Sequence, residues 1–260
     1  MPPPLQTLAD QRLIALRAEI AALEGAGKGV GEVMDFGDAR LDRLLPGGGL
    51  ALKAWHEFAG EGLELETAAA SAAFVARLAA PLGGRGELIW VLRRDDLHAP
   101  GLATLGFPAE RLIQVCARDE AEALAVMEDA LRTPGVAAVV AEAAEVDLTA
   151  GRRLQLAAEQ GCAAGFLLRR RPFGGAGRRE ASSAAATRWT IAPAPSQPAP
   201  GEPGLGAPRW RVRLERCRGG RTGEWILEAR EEDDAPHPFR LVAELADRDV
   251  AAEERLRLAG

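Results

Sequence analysis

One stretch of the chain has the residue types and spacing of a phosphate-binding site. FAGEGLELETAAA, residues 58–70, follows a glycine-rich approach, LDRLLPGGGLALKAWHE, and has the outline of a loop between a strand and a helix. A loop of the form G-x-x-x-x-G-K-[ST] binds phosphate because its glycines let backbone N–H groups turn inward, its lysine neutralises charge and its hydroxyl holds magnesium. Laid from Gly60, this chain supplies Gly60, Leu65, Glu66 and Thr67 at the defining positions. The first glycine and the hydroxyl are kept, but leucine replaces the second glycine and glutamate the lysine. At ~4 Å and an effective dielectric of ~20 a unit charge pair is worth about 4 kcal/mol, and reversing its sign swings roughly twice that. Micromolar affinity amounts to about 8 kcal/mol in all, so the reversal is large enough to abolish binding. Glu64 or Glu66 is expected to occupy the positive end of the helix in place of phosphate.

Other reactive residue types are scattered. His56, His98 and His237 share no ligand spacing, and Cys116, Cys162 and Cys217 are far apart, so no metal site is expected and the thiols are read as reduced and mostly buried. Asp95 and Asp96 follow a strand-like run and are expected to cap the next helix rather than act as an acid–base pair. Ser182 and Ser183 have no base near them in sequence, and no catalytic residue is assigned. The net charge of −6 argues against indiscriminate coating of nucleic acid, yet residues 169–188 and 209–221 each hold six arginines and one glutamate. An anionic partner should meet these segments first.

The elements that must position these residues are legible as period and punctuation. With 260 residues, 47% of them hydrophobic, the chain can bury a sizeable core. It lacks an apolar run of membrane-spanning length and a signal-like start, so a cytoplasmic protein without membrane contact is expected. From residue 55 to 168, short apolar runs (WHEFAG, ELIWVL, RLIQVC, VAAVVAEA, AAGFLLRR) alternate with helical segments near 67–78, 99–105, 120–131 and 150–160. That alternation predicts an α/β core with a mainly parallel sheet flanked by helices. A loop at 172–187, the strand-like RWTIAPA and a Pro/Gly-rich linker at 193–208 precede RWRVRLERC and EWILEAR, which read as an antiparallel hairpin. In it Trp210, Val212 and Leu214 face one way and Arg209, Arg211 and Arg213 the other. The expected organisation is an N-terminal amphipathic helix with a Gly-rich connector (1–31), a core (32–230) and an acidic segment with a helical tail (231–260). Leu13, Leu16, Ile20 and Leu23 form one helical stripe, and Leu241, Val242 and Leu245 a second; both are candidate partner-binding faces.

The blocks LPGGGL, WVLRRDDLHAPGL, LTAGRRLQLAAE, SSAAATRW and APRWRVRLERCRGGR, taken in order, cover most of the chain. They resemble the RecA-type recombinases and, more closely, the ImuA family, RecA-like accessory proteins of damage-inducible mutagenesis. The resemblance implies a RecA-like core with a degenerate nucleotide site. On its pattern the water-activating carboxylate falls on Arg94, and the aspartate of the metal-site strand falls near Ala141, with Glu142 on the opposite face. It also implies that Arg178, Arg179 and Arg188, in or beside a DNA-binding loop, are candidate weak DNA contacts. A non-catalytic scaffold of a translesion complex in the SOS response, needing no cofactor, is the function implied. Its partners would be ImuB, through it an error-prone DnaE-type polymerase, and also RecA or further copies of itself. Two other readings are a SulA-like cell-division inhibitor binding FtsZ and an ATP-dependent recombinase in which Lys53 or an arginine replaces the missing lysine.

Overall fold

The computed structural model describes residues 31–170, 184–198, 201, 203–230 and 237–245. Eleven strands follow in chain order: β1 (Val33–Met34), β2 (Leu50–Ala51), β3 (Trp55–Gly60), β4 (Glu87–Leu92), β5 (Leu112–Cys116), β6 (Val136–Ala143), β7 (Ala164–Arg169), β8 (Thr187–Ala194), β9 (Arg209–Cys217), β10 (Gly223–Ala229) and β11 (Phe239–Leu245). The helices are α1 (Ala39–Asp42), α2 (Glu64–Ala79), α3 (Ala99–Ala103), α4 (Glu120–Arg132) and α5 (Leu148–Gln160). β1 and β2 form a small antiparallel pair, and the other nine strands build one sheet in the order β11-β10-β9-β8-β3-β7-β6-β4-β5. From β8 to β5 all neighbours are parallel; β9, β10 and β11 extend the sheet antiparallel. The architecture is therefore mixed α/β, a mostly parallel sheet flanked by helices with an antiparallel C-terminal extension.

The local sequence explains where the helices begin. Asp119 accepts a hydrogen bond from Glu122 N–H and caps α4, and Asp147 accepts one from Ala150 N–H and caps α5. Each satisfies a backbone donor that the first turn leaves open. α2 starts differently. Its N-cap residue is Leu63, which makes no side-chain cap, and Glu64 and Glu66 stand in the first turn. Residues 64–85 are long and apolar enough to cross a membrane, but half of that window is buried, as befits a core helix.

Two apolar layers sandwich the sheet. On one face Phe58, Trp90, Phe166, Trp189, Trp210 and Trp225 pack with α2; on the other Trp55, Val139, Ala141 and Leu167 pack with α4 and α5. The second layer stops near β3, and beyond it the same face of β8 to β11 carries charged side chains. Arg209 pairs with Glu228, Arg211 with Glu61 and Glu224, Arg213 with Glu61 and Glu215, and Arg240 with Glu228. The basic hairpin is thus largely neutralised by its own neighbours.

Three expectations need correction. Residues 239–245 are not helical: Phe239 and Leu241 point into the core while Arg240 and Val242 point out, a period of two. The strand is drawn into the sheet because the Phe239 ring stacks on Phe74 of α2 at 4.7 Å and meets Trp210 edge-on. Leu241, Val242 and Leu245 therefore share no helical face; Leu241 is buried, Val242 exposed and Leu245 half-buried. The cysteines are free but not mostly buried, since Cys116 and Cys162 are exposed on β5 and after α5. Asp95 and Asp96 do not cap α3, whose N-cap residue is His98 with no side-chain hydrogen bond.

Candidate functional site

The loop that reads like a phosphate cradle is three residues long, Glu61 to Leu63, between the end of β3 and the start of α2. Its glycines are required by geometry. A Cβ on Gly60 would overlap the Thr67 hydroxyl and lie 2.8 Å from Thr67 Cβ, because the first turn of α2 folds back over the strand end. Gly62 has φ +86°, the left-handed region that favours glycine. The loop is also tied down: Glu61 N–H donates to the Ile191 carbonyl at 2.9 Å, and the Glu61 carboxylate is held by Arg211 and Arg213.

The side chains at the motif positions do other work. The Thr67 hydroxyl, the one candidate magnesium ligand, is buried and donates to the Leu63 carbonyl at 3.0 Å. Leu65 is 95% exposed, and Glu66 is exposed in the first helical turn. Glu64 turns the other way, toward Arg94, with Oε1 4.0 Å from its guanidinium. The residue at the water-activating position thus forms an ion pair with a carboxylate of the helix start.

Above the C-terminal ends of β4 and β7 these groups border a cavity of about 490 Å³, lined by Glu64, Leu65, Arg94, Asp96, His98 and Arg170 together with apolar residues of α2 and α3. Ala141 faces the α4–α5 layer. Glu142, on the other face, is buried and accepts a hydrogen bond from Arg170 at 2.7 Å and from Arg93 N–H at 3.3 Å. Glu64 and Arg94 therefore line one cavity, and Glu142 is linked to it only through Arg170, whereas Ala141, Glu66 and Thr67 are not part of its lining. Sequence reading missed Arg170 and the role of Asp96, which stands 3.9 Å from Arg170.

It also missed Glu57. This carboxylate is 1% exposed in the middle of β3, with Arg188 Nε 2.7 Å and Arg169 Nη1 3.5 Å from its oxygens. A glutamate inside the apolar run WHEFAG was the available signal, since a buried carboxylate requires a partner. Arg188, expected as a DNA contact, is drawn into this buried ion pair and its side chain is 12% exposed. Arg178 and Arg179 lie outside the described residues, as do Ser182, Ser183, Leu13, Leu16, Ile20 and Leu23. Among the described residues no three His, Cys, Asp or Glu side chains are grouped to hold a metal ion.

A parallel α/β sheet with a strand-to-helix loop and a cavity at the strand ends is the scaffold on which nucleotide sites are commonly built. Here two carboxylates, Glu64 and Asp96, line the space together with Arg94 and Arg170. No protein-family model matches the chain. Protein ImuA of Caulobacter vibrioides (strain NA1000 / CB15N) is 61% identical over 234 residues, covering 88% of this chain and 96% of that protein. The counterpart from strain ATCC 19089 / CIP 103742 / CB 15 matches to the same extent. The chain belongs to the ImuA family.

Proposed function

We propose that this protein acts in damage-inducible mutagenesis as a non-catalytic, RecA-like scaffold. In this reading it helps to assemble a translesion complex in the cytoplasm with ImuB and an error-prone DnaE-type polymerase. The observation that carries the reading is the 61% identity to Protein ImuA along nearly the whole of both chains. The loop at Gly60 supports the non-catalytic part: its hydroxyl is spent on the Leu63 carbonyl, and no lysine follows it. A phosphate placed there would meet the Glu64 carboxylate and gain no counter-charge from the loop itself.

Deleting the gene in its host and measuring mutation frequency after ultraviolet damage tests the reading. Damage-induced mutagenesis should vanish and return when the wild-type chain is supplied. An unchanged frequency in the deletion strain would refute it. Calorimetry with ATP and magnesium tests the non-catalytic part separately, with no binding expected at micromolar concentrations.

A further inference from the structure

The two edges of the nine-stranded sheet differ in character. At one end β11 carries Arg240 and Glu244, and the pairing of β10 with it slips between Ile226 and Leu227. Charge and irregularity of this kind keep an edge from recruiting another strand. At the other end β5, with the sequence LIQVC, has no charge, no proline and an unbroken register with β4. Ala117 N–H donates to the Leu92 carbonyl at 2.9 Å. By the alternation of a strand, the N–H and C=O groups of Ile113 and Val115 then face β4, and those of Leu112, Gln114 and Cys116 face outward. Among the described residues no strand lies beyond them. Ile113 is 46% exposed, and Gln114 and Cys116 are exposed as well, so this edge is open to solvent.

We propose that β5 pairs antiparallel with β5 of a second copy of this chain, about a two-fold axis at Gln114, to make one continuous sheet. What selects the occupant is that the strand is self-complementary. About Gln114 the sequence is close to a palindrome: Ile113 stands opposite Val115 of the second copy, Leu112 opposite Cys116, and Gln114 opposite itself. The three outward-facing residues meet three outward-facing residues, which gives about six inter-chain hydrogen bonds with no edge group left over. A register shifted by one residue would set outward groups against inward ones. Ile113 and Val115 share the face of Ile89 and Val91, which pack with the α4–α5 layer. The two-fold therefore gathers four β-branched side chains on that face, the kind of cross-strand set that stabilises a sheet. Beyond the strand, the same register brings Glu110 toward Arg118 of the second copy, a side chain that is 84% exposed, and sets no like charges opposite each other. A contact of one patch with itself closes at two copies. It is independent of the assembly role proposed above.

Sedimentation equilibrium of the full chain, from micromolar to submillimolar concentration, should show a monomer–dimer equilibrium. Ile113→Lys, which places two charges in the β-branched cluster, should weaken it about tenfold or more. Gln114→Pro removes an outward N–H without touching the ladder to β4 and should do the same, with the circular dichroism spectrum kept. Val242→Lys, on the opposite edge, should leave dimerisation unchanged. Hydrogen exchange of the wild type reads the same contact without a substitution: the amides of Leu112, Gln114 and Cys116 should exchange more slowly as the concentration rises, and those of β11 should not. A chain that stays monomeric throughout would overturn the proposal, as would a dimer that both β5 variants leave intact or amides of β5 that ignore concentration. Loss of the dimer on removal of residues 1–30 would also overturn it, since that segment would then be what covers the edge.

Discussion

His56 makes this protein acid-sensitive in a defined window. It is fully buried on β3, with Nε2 2.8 Å from the Ala51 carbonyl and Nδ1 2.7 Å from Thr187 Oγ1. The carbonyl needs a donor, so Nε2 carries the proton and Nδ1 accepts from the Thr187 hydroxyl, whose oxygen accepts in turn from Trp189 Nε1 at 2.7 Å. The neutral imidazole satisfies the whole chain of groups. A second proton would turn Nδ1 into a donor, deprive the Thr187 hydroxyl hydrogen of its acceptor and place a charge in the core. Burial accordingly pulls the imidazole down from 6.5 to about 4, the hydrogen bond to Ala51 offsetting part of that. Because the folded state binds this proton less readily than the unfolded state, stability is full above pH 6.5 and falls as the pH drops toward 4. The gap corresponds to about 3 kcal/mol, most of it lost by about pH 4.5. Urea unfolding of the wild type at steps from pH 7 to about 4.5 should show the decline. The neutral variant His56→Gln should be less stable at pH 7 but nearly flat across the window. A wild-type stability constant over that range, or the same slope in the variant, would refute the reasoning.

Removing the buried carboxylate with Glu57→Ala leaves Arg169 and Arg188 without their shared counter-charge in the sheet, and should cost about 3 to 5 kcal/mol, read as a lowered melting temperature. Alkylation with iodoacetamide near pH 8 should modify the exposed Cys116 and Cys162 quickly and Cys217 slowly, since burial pushes that thiol up to about 11; peptide mass mapping over time would show a uniform rate if this were wrong.

Much of the sheet was legible because its strands are short apolar runs with a single identity. ELIWVL and VAAVVAEA coincide with β4 and β6 residue for residue, since β-branched and aromatic residues in such runs have no competing helical face. β11 was hidden by a coincidence of spacing: Leu241, Val242 and Leu245 fit a helical stripe, and only the alternation that begins at Phe239 reveals the strand. That glutamate stands where the phosphate-loop motif has lysine is read from position 66 alone. What could not be read is how distant segments share a charge. Nothing local in the sequence says that Arg188 turns inward to Glu57, or that Arg170 spans from the end of β7 to Glu142 on β6. Exposure misled in a similar way for Cys116, because an apolar strand at a sheet edge keeps one side open.

β3, the strand that carries the loop, lies between β7 and β8 in the middle of the sheet. Both of its neighbours are made from residues far downstream, 164–169 and 187–194. During synthesis the segment 55–60 therefore leaves the ribosome long before either strand exists to pair with it. Until then Phe58 has no Trp189 to stack on, and both edges of β3 are open to other chains. Sheets closed by such distant segments fold slowly, because the intervening chain must be looped before any contact rewards it. A fragment ending near residue 186 would keep β3 to β7 yet leave one edge of β3 and its apolar face unpaired, an aggregation hazard rather than a smaller stable domain. β8 is in this sense the lock that completes the centre of the molecule, and because β9 to β11 pair outward from it, fragments for binding work should be cut beyond β11.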